Sequence, residues 1–219
     1  MSRFTGLPKF GICFDFETSG AHTTDLQATT RDFQGLSLGI IIFDALTFAE
    51  VEAKYFEIKF DALKYKWSPE AEKIHGLTRE HLAANGETQE AVAEQLVELI
   101  LKYFGSTPVL AMGHNLAFDL AFMEQLLATI GFDLLDGSRA RRSPGMPAID
   151  IFYCQIDTAP LGLATLGVFR SNQLFETYGF DERGLHNALV DASQTLAVAA
   201  MTKLIFTEGR KALGIVEQA

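Results

Sequence analysis

Basic residues are in short supply in this chain. Its 219 residues carry 18 Lys and Arg against 28 Asp and Glu, a formal net charge of −10, which is the wrong sign for gripping a nucleic-acid duplex through counterion release. That argues against a regulatory DNA-binding module. It does not exclude chemistry on nucleic acid, because bound metal ions reverse the sign of a local site. Cysteine occurs only twice, at Cys13 and Cys154, each inside an apolar string, which fits reduced core thiols rather than a disulfide framework or a zinc site. Glycine and proline together fill only 24 positions, too few for a collagenous or low-complexity chain. Long hydrophobic runs are missing as well. Leu38–Phe43 falls far short of the ~20 residues that span a bilayer, and the amino terminus has no cationic stretch leading into a small-residue cleavage site. The expectation is a cytoplasmic protein with no membrane partner.

What is present is apolar content, 48%, over a length that suits one domain, with its core in about residues 9–206. Lys9–Glu17 alternates and is rich in Phe and Ile, so it reads as a first strand, followed by a polar stretch, Thr18–Gln34. Leu36–Asp44 and Val51–Phe60 read as second and third strands of an antiparallel meander. Ser68, Pro69 and Glu70 form a helix start and Gly76 a stop, which predicts a short helix over 69–75. Thr88 caps a longer one, Gln89–Phe104, with Val92, Leu96, Leu99, Ile100 and Tyr103 at helical spacing. Pro108–Gly113 is wholly apolar, as a strand buried in a parallel sheet is, and Leu116–Ile130 follows as an amphipathic helix. Residues 136–147 read as a loop carrying Arg139, Arg141 and Arg142. Ala148–Cys154 reads as a fifth strand, 162–178 as short helices, and His186 to about Phe206 as a long helix. This order describes an α/β mixed sheet, an antiparallel meander plus parallel strands, with helices on both faces.

Asp15 and Glu17 stand two apart on the first strand, so their side chains leave the same face while Phe14 and Phe16 leave the other. Such a pair suits a hard divalent cation. Alone it carries no information, since twelve Asp and sixteen Glu produce about one Asp-x-Glu by chance. The setting adds to it: an apolar strand runs directly into a turn at Gly20, where Thr18 could offer a hydroxyl beside the metals. Asn115 and Asp119 lie four apart at the start of a helix leaving a buried strand and so face the same way, toward the strand end where α/β sheets keep their ligands. Phe118 and Phe122 form another four-residue pair, suited either to stack a base or to pack a core. His186 and Asp191 are five apart, which brings them together only if His186 precedes the helix on the loop side. His114 and Asp119 share that spacing, so spacing alone does not choose between the histidines. His186 is preferred because His114 ends an apolar strand, where a hydrogen-bonded structural role is expected.

Taken in order, Asp15-x-Glu17-Thr-x-Gly, His-Asn115-x-x-Phe-Asp119 and His186-x-x-x-x-Asp191 resemble the motifs of the DEDD exonuclease superfamily in its histidine-bearing branch. That branch includes the epsilon-type proofreading exonucleases, RNase T and oligoribonuclease. Ile74-His-Gly-Leu-Thr78 also looks like a family element. Asn187 stands where the tyrosine-bearing branch would place its tyrosine, and Ser37-Leu38-Gly39 where many members carry a Glu before the Leu/Ile-Gly pair. The resemblance implies a ribonuclease H-like fold and 3′ to 5′ hydrolysis of nucleic acid to nucleoside 5′-monophosphates. It implies two divalent cations, Mg²⁺ or Mn²⁺, on Asp15, Glu17, Asp119 and Asp191, His186 as general base, and substrate contacts from Phe16, Thr18, His75, Asn115 and Phe118. Four clustered carboxylates independently call for two dications to offset their repulsion. Single-stranded DNA 3′ ends are the expected substrate. The alternatives are an exoribonuclease of the RNase T or oligoribonuclease type, a metal-dependent endonuclease of the same fold class, and a non-catalytic binding relative.

Overall fold

The computed structural model describes residues 6–22, 24–136, 145–181 and 184–215; the cluster Arg139, Arg141 and Arg142 lies outside them. Strand β1 (Phe10–Thr18) comes first, then helix α1 (Leu26–Asp32), and then β2 (Gly35–Asp44) and β3 (Glu50–Glu57). β1 pairs antiparallel with β2, and β2 with β3, which is the expected meander. Helices α2 (Pro69–His75), α3 (Arg79–Asn85) and α4 (Gln89–Phe104) follow. β4 (Leu110–Gly113) then returns parallel to β1 and feeds α5 (Leu116–Ala128). The chain continues through β5 (Asp133–Asp136), β6 (Ala148–Ile151), β7 (Ile156–Asp157), α6 (Thr158–Leu166), α7 (Ser171–Thr177) and α8 (Ala188–Ala212). The main sheet is mixed, in the order β3-β2-β1-β4-β7.

Strong punctuation accounts for the helices whose ends match expectation. Ser68 and Thr88 cap α2 and α4 by accepting the backbone N–H groups of Ala71 and Ala91, and Gly76 closes α2 in the left-handed conformation at φ 71°. Elsewhere the structure corrects the sequence reading. The polar stretch after Gly20 contains α1, capped by Asp25. Helix α1 is strapped down by Asp32, which binds Lys66 Nζ at 2.8 Å, and Gln125 Nε2 donates to the adjacent Phe33 carbonyl at 2.8 Å. Ala148–Cys154 is not one strand of the main sheet: β6 pairs with β5 in a separate two-stranded sheet, and the main sheet's fifth strand is β7. Cys13 is buried as expected, but Cys154 is exposed.

Two packed layers position the functional end of the sheet. Ile12, Phe14 and Phe16 of β1 join Val92, Leu96 and Phe122 in a core under α4 and α5. On the opposite face Cys13, Ile41 and Phe43 pack against Ala192, Leu196 and Ala199 of α8, and Cys13 Sγ lies 3.3 Å from the Ala192 carbonyl. Although α8 has the length and apolar content of a membrane-crossing helix, its first half is a core helix, with Ala188, Ala192, Thr195 and Ala199 buried. The start of α8 presses onto β2 at Gly39, the cross-strand partner of Asp15. A Cβ at residue 39 would sit 2.3 Å from backbone atoms of Ala188 and Leu189. Replacing Gly39 with Ala is therefore expected to push the α8 N-terminus off the sheet at a cost of about 1–3 kcal/mol, seen as a melting temperature several degrees below the parent's. An unchanged melt would mean that α8 does not depend on this close approach.

Candidate active site

The carboxyl ends of β1 and β4 and the N-termini of α5 and α8 meet at a cleft of about 190 Å³. Asp15, Glu17, Asp119 and Asp191 all line it, with His186 and His114, Asn115 and Phe118. Each carboxylate arrives for a local reason. Asp15 and Glu17 come from the strand face opposite the Phe14 and Phe16 core. A register shift in the β1–β2 pairing falls immediately after Glu17, as bulges beside active sites do. Asp119 stands in the first turn of α5 and Asp191 in the first turn of α8, where helix dipoles favour negative charge. Glu17, Asp119 and Asp191 are 7%, 3% and 4% exposed, too buried for water alone to screen their repulsion.

Asp119 shows the consequence. Burial pushes its carboxyl well above the ordinary 3.8, and the negative charges of Glu17 and Asp157 push in the same direction; the Phe16 N–H opposes them by donating to Asp119 Oδ1 at 2.9 Å. Cys13, beneath the same cluster, is held as a neutral thiol by burial and then by the charges of Asp15 and Asp119.

His186 precedes α8 on the loop side, which is the arrangement its spacing to Asp191 requires. Its N–H donates to the Ile74 carbonyl at 2.9 Å, its Nδ1 lies 3.5 Å from Asp191 Oδ2, and the next residue, Asn187, caps α8. Ligand atoms of Glu17, His186 and Asp191 lie within 4.8 Å of one another. This donor set, rich in buried carboxylate oxygens, fits hard divalent cations. His114 also lines the cleft, with Nδ1 3.0 Å from the Thr158 hydroxyl, so it combines the expected structural hydrogen bond with a place in the wall.

The expected substrate contacts separate. Asn115 and Phe118 border the cleft. Phe16 borders it too, but its ring is 5% exposed and packs on Phe122, as alternation from Asp15 and Glu17 demands. Thr18 ends β1 just past the register shift that follows Glu17. Its hydroxyl donates to the Gly20 carbonyl at 3.1 Å, and it is not among the residues that line the cleft. His75 is also outside the lining: it is buried on α2, its Nδ1 accepting the Leu77 N–H.

One functional residue was missed. Asn115 starts α5 in the left-handed conformation with no side-chain cap, and the Asp157 carboxylate does the capping instead, accepting the Asn115 and Leu116 N–H groups at 2.9 and 3.0 Å. Asp157 also caps α6 through the Ala159 N–H. Its place ahead of Thr158 and Pro160 was a readable helix-start signal.

Residues 12–199 match the family model described as Exonuclease, that of RNase T. No curated protein matches the sequence. Among solved structures, the zinc-bound E. coli exonuclease I complex with single-stranded DNA is 20% identical at a TM-score of 0.68, with 90% of this chain and 41% of that chain covered. E. coli exonuclease I with a dT13 oligonucleotide is 20% identical at 0.67, with 89% and 41% covered. A product-bound exonuclease I is 18% identical at 0.64, with 96% and 49% covered. The fold is thus the ribonuclease H-like fold of the exonucleases, and the chain spans less than half the length of these exonuclease I chains. The chain belongs to the exonuclease family that the matching family model describes.

The Asp119 geometry generates a pH-dependent expectation for the metal-free protein. A carboxyl raised by folding costs stability as pH climbs from its ordinary value of 3.8 through the folded one, because the native state holds the extra proton in that window. The substitution Asp119→Asn keeps an acceptor oxygen for the Phe16 N–H and removes the charge. In EDTA, Asp119→Asn should melt above the parent at pH 8, with the gap closing toward pH 4; a gap that widens toward acid would contradict the assignment. Adding Mg²⁺ at pH 8 should raise the parent's melting temperature more than the variant's.

Proposed function

We propose that the chain is a histidine-branch exonuclease that hydrolyses single-stranded DNA from the 3′ end to nucleoside 5′-monophosphates. Two divalent cations, Mg²⁺ or Mn²⁺, would be held by Asp15, Glu17, Asp119 and Asp191. The observation that carries this reading is the convergence of these four carboxylates with His186 in one cleft at the β1 and β4 ends. Bound dications supply Lewis-acid stabilisation of charge at the scissile phosphate, and so substitute for the cations that a chain of net charge −10 lacks.

The protein's own groups do the rest. Water attacks the terminal phosphorus as the bond to the upstream 3′ oxygen breaks. His186 takes the water's proton, steadied by Asp191 at 3.5 Å from Nδ1, and the departing 3′ oxygen is protonated. Asn115 and Phe118, at the cleft wall, would contact the terminal nucleotide. The substrate class is supported by the exonuclease I neighbours, which hold single-stranded oligonucleotides; the family model's RNase T relationship keeps RNA as the second reading.

The test is degradation of matched linear DNA and RNA single strands, with a circular DNA strand alongside, in Mg²⁺. Linear DNA should shorten from its 3′ end to mononucleotides and the circle should persist. Cutting of the circle would refute exonucleolytic action, and faster loss of the RNA would reassign the substrate. His186→Ala should lower turnover by about 10²–10⁴-fold with Mg²⁺-induced stabilisation retained. His114→Ala should act mainly through stability, by removing the hydrogen bond between His114 Nδ1 and the Thr158 hydroxyl. The reverse pattern would exchange the two roles.

A further inference from the structure

Around the start of α2 stands an aromatic cluster, with Arg79 over it, that the hydrolytic chemistry does not use. Trp67 is the chain's single tryptophan. Its indole N–H donates to Glu72 Oε2 at 2.7 Å, which fixes the plane of the ring. The Phe60 ring meets it edge-on, with centroids 4.9 Å apart and planes at 69°. Over both rings lies the Arg79 guanidinium, 5.1 Å from the Trp67 centroid and 5.4 Å from that of Phe60.

Arg79 is exposed at the start of α3, and among the described residues it makes no ion pair, although acids outnumber bases by ten. The same holds for exposed Lys59, Lys64 and Lys73 on either side. The same stretch also carries Asp61, Glu70, Glu72 and Glu80, so Arg79 and these lysines are separate positive points around a fixed aromatic plane.

Trp67 meets His75 edge-on at 6.4 Å. The neighbouring Ile74 carbonyl receives the His186 N–H, and Ser68 N–H donates to the Ser19 carbonyl at 2.7 Å, just past the carboxylate strand. These contacts link the loop that carries His186 to the Trp67 cluster through Ile74 and His75.

We infer that Trp67, Phe60 and Arg79 form a stacking platform for unstacked bases of a single strand, upstream of the nucleotide being removed. Every base has a π-face, so aromatic rings and guanidinium planes hold single strands with little regard to sequence. The flanking lysines, unpaired with carboxylates among the described residues, would meet the phosphates between those bases. This rests on the single-strand reading above and adds a second place of contact on the same strand.

The single tryptophan makes the test direct. His186→Ala in Mg²⁺ is titrated with a 5′-labelled twelve-nucleotide oligothymidylate until label anisotropy reports saturation, and indole emission is read on the same samples. Emission should fall and shift as the oligomer binds and stay constant with thymidine 5′-monophosphate. In the active enzyme, Arg79→Ala should raise KM for the oligomer about tenfold while raising KM for dithymidylate far less and leaving kcat for the oligomer within about twofold. Saturated binding with unchanged emission, or an Arg79→Ala effect equal for long and short substrates, would overturn the platform. Absence of hydrolysis and of binding for any linear strand would instead refute the single-strand exonuclease reading on which it rests.

Discussion

Mutual repulsion among four carboxylates in one cleft is the constraint on which the functional end of this structure depends. Nothing in the hydrophobic core favours bringing Asp15, Glu17, Asp119 and Asp191 together, and three of them are almost wholly buried. The fold compels it: β1 presents two carboxylates on one face, while α5 begins past the carboxyl end of β4 and α8 begins over Gly39 of β2, each with an acid in the first turn. The glycine at 39 lets the α8 backbone close on β2 beside Asp15. Burial first, and then the charge of Glu17, holds the Asp119 carboxyl above its ordinary range, and dication binding is the physical means of relieving such repulsion.

The supports around the cleft are polar and specific. Asp157 grips the left-handed turn that opens α5 and so sets the direction from which Asp119 enters. The α1 strap closes on Lys66 through Asp32, whose carboxyl is held far below its usual range by hydrogen bonds from Lys66, His22 and Arg31. The same segment, through Ser19 and Lys66, fixes the loop that carries Trp67. The cleft and the proposed base platform thus share one scaffold.

Much of this was legible in the residues. The meander, α2 and α4 were readable because caps, first-turn proline and stop glycines agree with apolar periodicity there. The four acids were readable as a set once three motifs were taken in order. Helix α1 was not, because its polar sequence LQATTRD has no apolar face and its stability comes from tertiary contacts to Gln125 and Lys66. The strand expected over Ala148–Cys154 ends at Ile151, where β6 pairs with β5, and the chain joins the main sheet only beyond it, at Ile156–Asp157 beside β4; pairing partners leave no local mark. The choice between His114 and His186 could not be made from their identical spacings; the structure puts both in the wall and only His186 in the loop beside Asp191.

The most direct measurement of the central claim is the number of Mn²⁺ ions bound per chain, read by electron paramagnetic resonance of free Mn²⁺ during titration at neutral pH. If the four carboxylates form the proposed dication site, the parent takes up two ions per chain, and Asp191→Asn and Asp15→Asn each lose at least one while remaining folded. Uptake of no specific Mn²⁺ by the parent, or unchanged stoichiometry in both variants, would contradict the account.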